Sequence, residues 1–587
     1  MGARDATARG HVAQRETGAV AQRLDAPATV VAQLARVRRV TETRARLVFV
    51  ALACVNATAC REGSSPADGG DAGLTPDTTP KLCATQTACE ATRVHACRDG
   101  RFAEVIEECG PDGTCSRGRC TSHACADTER NLGAIVGCSF YSLHLDNVTS
   151  DDPLPSSVLV TNPGQVPANA KLQHRLGGEW TDLPEAQALV PPMQSVRLAL
   201  PIDHFEGGGP AVQSAVRLVT DLPVTAVHVQ SDDTGSAPSR SSGGTMLLPE
   251  HVLGRRYLAI AYPQLATPQV VLDEGQRQGA GQLVVVGTQD RTTVTVTPPK
   301  DVVFGPAGGA PPAGGAFKLA LNEGDYWQLY TSHDGDDLTG TEILADRPVA
   351  VFSGNIATTY GEMGAGINSG DLAHEQLLPV SSWSTAFVAA SLPPKVGVCD
   401  SLYDAGPTSI WRIVADEANT QIQFHAAKGV TGPFVPRTLG KGERLRLLVP
   451  AGVSFSVTAT APIEIMQGTD CEATLSSAVP AGPWLGDLWF ATLPTYDTAL
   501  AVVRSAGQPV ILDDARLADA LFAPAGMGFE VGQIAVDTCP LAAGVCTHHL
   551  SGQFGVSMRG QDVLTSWALT VPTWRPCLDP DVATCSN

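Results

Sequence analysis

Arg347-Pro348-Val349-Ala350-Val351-Phe352-Ser353-Gly354, closed by His374-Glu375-Gln376-Leu377-Leu378-Pro379 and Trp383, is the stretch that decides the fold. A proline leads an apolar run, a second proline follows, and a third, Pro393, comes 14 residues after Pro379. The phrase occurs twice more. Leu222-Pro223-Val224 is followed by Pro249 and Pro263, and Ala461-Pro462-Ile463 by Pro480 and Pro494, with the same spacing of 14. Trp383 and Trp484 stand four residues after their middle prolines, and Leu253 takes that place in the first copy. Three copies of one phrase predict an array of similar β units, and repetition points to a binding or structural surface before an active site.

Composition agrees. Aromatic residues make up 5%, while the chain holds 58 glycines and 42 prolines, which suits short strands and tight turns. The formal charge is −20, so nucleic acid and anionic membrane surfaces are not expected partners. The expected fold is all-β, with tandem sandwich-like units of roughly 80–130 residues; a propeller, whose blades need about 40–50, is the alternative. Prolines that open strands are expected at an edge or first strand position, where no ladder donor is lost.

Residues 36–60 read as an export signal. Arg36, Arg38, Arg39, Arg44 and Arg46 precede the apolar run from Leu47 to Ala59, and Ala57-Thr58-Ala59 leads into Cys60. The run is too short to span a bilayer comfortably. The pattern predicts a lipoprotein with lipid on Cys60, the rival being Cys54 and the bland alternative plain secretion. Val37 or Val40 is an alternative start. Of the sixteen cysteines, fourteen lie beyond Cys60, an even number suited to disulfides.

The expected division is a targeting segment at 1–59, a flexible tether at 60–82, a cysteine-rich module at 83–138, and β units at 139–270, 271–400, 401–497 and 498–587. The module holds Cys83, Cys89, Cys97, Cys109, Cys115, Cys120, Cys125 and Cys138 with few large apolar residues. Such a segment needs covalent staples, and its spacing lacks the paired C-x2-C knuckles of zinc sites. Cys399 and Cys471 are a possible pair, and Cys539, Cys546, Cys577 and Cys585 are expected to clip the last unit. That unit is degraded, as terminal repeats without a further neighbour often are.

The second unit resembles the domain named for the N-terminal part of the IgG Fc-binding protein. The residues that carry it are Asp337, Thr339, Gly340, Pro348, Phe352, Gly354, His374, Gln376, Pro379 and Trp383. Met246-Leu247-Leu248-Pro249 with Leu253-Gly254 and Tyr257 is similar to the preceding half of that domain, and Cys138-Ser139-Phe140-Tyr141 to the entry of lipoprotein-type relatives. Leu372-Ala373 stand where the family has a cysteine, and Ser384 where it prefers glycine. The resemblance implies an extracellular interaction module, with the signature residues in structural roles, and implies no catalytic residues.

The chain itself offers little chemistry. His374-Glu375 lacks the second histidine of a zincin. His548-His549 beside Cys546 lacks convergent ligands, and Asp334-Gly335-Asp336-Asp337 lacks calcium-loop spacing. Ser353-Gly354 lacks the glycine of a nucleophile elbow. The expectation is therefore a non-catalytic surface lipoprotein, without cofactor or metal, that binds an extracellular protein or glycan. Two alternatives stand beside it: a carbohydrate-active hydrolase using carboxylates such as Glu362 and Asp371, and a self-assembling matrix protein.

Overall fold

In each of four sandwiches one stretch of chain passes from one sheet into the other, and in the first three the repeated proline marks the crossing. The computed structural model describes residues 87–131, 135–147, 156–201, 209–230, 241–264, 279–302, 304, 315–359, 370–393, 408–469, 474–482, 484–494, 496–561 and 566–571. The expectations for Cys60, Cys83, Cys399, Cys471, Cys577, Cys585 and Glu362, and for the targeting segment and tether, lie outside these residues.

In the first sandwich the long strand is Val216–Gln230. Before Pro223 it pairs with Gly137–Ser142 and Ala168–Leu176; after it, with Ser157–Asn162 and Gly243–Met246. In the second, Glu342–Ala345 pairs with Arg256–Leu258 and Thr292–Thr297. Pro348 breaks the ladder, and Val349–Thr359 then pairs with Gly281–Gly287 and Gly370–Gln376. In the third, Phe455–Thr469 pairs with Ser384–Ala389 and Thr420–His425 before Pro462, and with Thr408–Ala415 after it. In the fourth, Cys546–Gln561 pairs with Leu485–Thr492 and then with Asp497–Ser505 and Ser566–Val571.

Only Pro348 fits the expected first-position placement. Pro223 and Pro462 sit inside strands, at register shifts between Val219 and Val224 and between Thr458 and Ile463. A bulge is the other place where a strand tolerates a missing donor, and it supplies the bend that carries the strand into the second sheet. The fourth sandwich makes the same bend with glycine: Gly552 has φ +120° and abuts the Pro509 carbonyl.

The middle prolines also share one geometry. Pro249 and Pro379 cap 3-10 turns Glu250–Val252 and Val380–Ser382 with ψ of 148° and 147°. Leu253 and Trp383 follow, both buried. A Cβ at Gly137 would run into Pro249, and one at Gly254 into Pro379, so each turn seats on a bare backbone position. The Trp484 indole donates to the Pro480 carbonyl at 2.8 Å.

The expectation that the last unit lacks a further neighbour is corrected. Shared cores join the first sandwich to the second and third, the third to the fourth, and the fourth back to the first. Ser195 N donates to Thr547 Oγ1 across that last joint at 2.8 Å. The fourth unit therefore has neighbours on both sides, and burial of its Leu550, Phe554 and Val556 follows from this. Each such fully buried side chain contributes about 1.5–3 kcal/mol relative to exposure. The strands are sandwich sheets, and no propeller blade occurs among the described residues.

The cysteine-rich module is a three-stranded sheet (Thr87–Glu90, Arg93–Arg98, Arg101–Glu108), a hairpin (Gly113–Ser116, Arg119–Ser122) and the helix His123–Asn131. Between residues 87 and 131 only Val94, Cys125 and Ala126 are buried apolar side chains among those described. Cys89–Cys115, Cys109–Cys120 and Cys125–Cys138 replace the missing core. Cys97 is also disulfide-bonded, and Cys539–Cys546 clips the start of the last long strand. The zinc alternative is thereby set aside for these cysteines.

A matched pair of glycines tests the packing. Gly335 and Gly340 both have positive φ, at +85° and +94°, but only a Cβ at Gly340 meets the Gly442 carbonyl of the third sandwich. Gly335→Ala is expected to cost about 1–2 kcal/mol for the left-handed backbone alone. Gly340→Ala is expected to cost at least about 2 kcal/mol more, from overpacking at the joint. Urea denaturation of the two variants measures the difference.

Candidate functional site

A cleft of about 870 Å³ lies between the cysteine-rich module and the first sandwich. Three neighbouring strands make one wall, since Val219 pairs with Lys171 and Lys171 with Gln187. Asn169, Gln173, Leu189 and Asp221 extend it. The opposite wall is the hairpin Arg119–Ser122 with Arg117 and Glu129, and Glu107 stands at the rim.

Its floor is a network of charges. Arg119 Nη2 donates to Glu250 Oε1 at 2.7 Å, and Ser139 Oγ donates to Glu250 Oε2 at 2.9 Å. Arg217 Nη1 and Tyr141 Oη both donate to Glu323 Oε1 at 3.1 Å. The Arg217 guanidinium lies 4.2 Å from the Trp180 ring centroid. Arg117 donates to the His251 carbonyl at 3.0 Å. Burial by itself would raise the Glu250 carboxyl, but Arg119, Arg117 and Arg217 outweigh it and hold it below its usual range. Burial, then Glu250 and Glu323, push the Tyr141 phenol well up, so it stays a neutral donor. The cleft's walls are thus preformed, with their charges largely matched within the molecule.

The signature residues lie elsewhere, and they do not converge on a pocket. Asp337 accepts from Arg412 Nη1 of the third sandwich at 2.9 Å and from Thr339 N at 2.9 Å. Burial would raise the Asp337 carboxyl; Arg412 and Arg444 lower it overall. Thr339 Oγ1 donates to the Ala261 carbonyl at 3.0 Å. A Cβ at Gly354 would strike the Ala373 carbonyl, so the central ladder of the second sandwich needs glycine there. Phe352 is buried, and the Pro348 carbonyl accepts from Thr288 Oγ1 at 2.6 Å. Gln376 Oε1 accepts from Leu248 N at 2.8 Å, tying the second sandwich to the first. His374 packs against His228 with ring centroids 5.5 Å apart; burial lowers both, His374 to about 3. Trp383 Nε1 donates to the Leu378 carbonyl at 3.4 Å.

The other chemical candidates separate as well. His548 Nδ1 bonds Asp513 at 2.7 Å, while His549 stacks on Trp489 at 4.2 Å and bonds Asp487, so the two imidazoles serve different partners. Asp336 accepts from His333 N at 3.0 Å, whereas Asp337 turns to Arg412. Ser353 is a mid-strand residue paired with Leu283 and Glu375. No group of three or more metal-ligating side chains occurs among the described residues. No described helix is long and apolar enough to cross a membrane.

The family model described as IgGFc binding protein matches residues 243–560. The chain belongs to this family. A Homo sapiens protein named IgGFc-binding protein is 24% identical over 315 residues, which is 53% of this chain and 5% of that relative. This IgGFc-binding family member thus spans about a twentieth of the length of the curated relative it matches. No solved structure matches it. The family match starts at residue 243, inside the first sandwich, and of the residues lining the cleft it includes only Glu250. Sequence reasoning missed the cleft's walls because their residues come from segments near 107, 119, 170, 188, 219 and 250, and no local motif links them.

Glu250→Ala is expected to cost about 3–5 kcal/mol, because it strands Arg119 beside a partly buried wall. Arg93→Ala, which removes an exposed pair with Glu108, is expected to cost under about 1 kcal/mol. Glu250's contribution is full above the usual carboxylate range and is lost as pH falls through its depressed value. Thermal denaturation at pH 7 and pH 3 checks both statements.

Proposed function

We propose that the chain is an exported, non-catalytic binding protein, and that its partner is an extracellular protein docking at the cleft between the cysteine-rich module and the first sandwich. The observation that carries this reading is the cleft itself: a large, preformed polar recess on a module stapled by disulfides. Such bonds persist in oxidising compartments, which favours export. Rigid walls reduce the ordering cost of binding, and paired charges need little desolvation beyond what folding has already imposed. Family membership supports a binding role, and the human relative's name makes IgG Fc the first probe.

Catalysis is the weaker reading. Glu250, the buried carboxylate of the cleft, is held ionised by arginines and so does not serve as a general acid near neutral pH. In the binding reading, lipid on Cys60 holds the protein to a membrane, and the signature residues are structural ties between sandwiches.

Biolayer interferometry of the full mature chain against immobilised IgG Fc tests the proposal. Leu189 is 58% exposed at the cleft, so Leu189→Glu changes the surface without emptying a core. Saturable Fc binding that falls at least about tenfold in Leu189→Glu, with unchanged Tm, is the expected result. Equal binding by the variant overturns the cleft as the site, and no saturable binding removes Fc as the partner.

A further inference from the structure

Two buried carboxyl groups, both beside Ser477, lie where three sandwiches meet, and the described strands around them supply no balancing cation. Glu375 lies on Gly370–Gln376 of the second sandwich and is 4% exposed; Glu464 lies on Phe455–Thr469 of the third and is 2% exposed. Glu375 Oε2 accepts from Thr245 Oγ1 of the first sandwich at 3.0 Å. Neither oxygen of Glu464 has a well-formed hydrogen bond; Ser477 and the Ile465 amide are its polar neighbours.

The described strands packed against them offer no countercharge: Ser566–Val571 of the fourth sandwich brings Thr570, which donates to the Ser477 carbonyl, and the buried Arg559 lies on the strand beyond it, opposite Ala568. Gly243–Met246 brings only Thr245 as a polar side chain beside them, Val349–Thr359 brings Ser353, and Ser476–Ser477 brings two hydroxyls. Thr408–Ala415 carries Arg412, which is committed to Asp337 and Thr339. Of the other groups on these strands, His374 packs against His228, where burial keeps both imidazoles neutral. The remaining acid, Asp371, lies four residues from Glu375 on the same strand.

We propose that this junction is a pH-operated latch: the second and third sandwiches stay closed while Glu375 and Glu464 hold their protons, and part in alkaline solution when those protons pass to water. An unpaired carboxylate in such a place lacks both water and a partner, so the closed form requires the neutral acids. Burial raises Glu464 to about 8, and burial followed by Glu464's own charge raises Glu375 well above the usual range. The folded chain keeps protons that the unfolded chain has already lost. Stability is therefore full below the usual carboxylate range and declines as pH rises to about 8 for Glu464, and further for Glu375. Once one acid ionises, its charge opposes ionisation of the other across the closed joint, so separation relieves both burial and repulsion.

The test uses the full mature protein between pH 6 and pH 9. Amide exchange, corrected for its intrinsic pH dependence, is measured on wild type and on the Glu375→Gln/Glu464→Gln double variant, together with Tm and radius of gyration. Wild type is expected to lose protection first in residues 370–376 and 455–469, to expand, and to lose roughly 5 °C in Tm. The double variant, neutral at every pH, is expected to show none of these changes. The same slope in both proteins overturns the latch, as does protection that persists in wild type to pH 9. If the variant does not fold, the wild-type exchange and expansion decide the matter alone.

Discussion

The structure depends on one short strand, Gly243–Met246, being narrow enough to sit among its neighbours. It pairs with the long strand of the first sandwich and packs against Gly370–Gln376 of the second and Ser566–Val571 of the fourth. A Cβ at Gly243 would run into the His374 ring, so the close approach exists only with glycine. Thr245 then serves two masters, donating to Glu375 and accepting from Gln376 N at 2.8 Å. Packing of this density transmits any change in volume or charge to several sandwiches together.

That constraint explains why polar residues cluster inside a protein whose strands are otherwise rich in valine and leucine. Closing four sandwiches on each other buries faces that an isolated sandwich leaves wet. The ties at those faces are specific: Asp337 to Arg412, Gln376 to Leu248, and Ser456 Oγ to the Ala525 carbonyl at 2.9 Å. Buried ties of this kind add little net stability against an apolar replacement, yet they fix which surfaces meet. The cysteine-rich module is tied on the same terms, through Arg119 and Glu250, and the cleft is the space left beside that tie.

Much of the fold was legible. The three proline phrases announced repeated β units because a missing backbone donor restricts where a strand can place proline. The even count of cysteines and the scarcity of apolar residues between 83 and 138 announced a stapled module, and three disulfides there follow that reading. The place of Pro223 and Pro462 was misjudged, since a bulge inside a strand and a strand start look alike in sequence. The neighbours of the last unit were misjudged as well. A repeat announces similar units, but closure depends on faces such as Leu159 and Val229 against Leu500 and Val556, which no local pattern pairs.

The sequence by itself determined strand periodicity, the need for staples and the acidic charge, because these follow from side-chain alternation, apolar content and ionisable residues. Only the tertiary structure decided that the fourth unit returns to the first, that Asp337 meets Arg412 and Gln376 meets Leu248 across joints between sandwiches, and that Arg119 and Glu250 meet under a cleft. It alone brought Glu375 and Glu464, 89 positions apart in the chain, into one dry junction. Their chemistry there is set by the water and countercharge they lack, and that is a property of the packed whole.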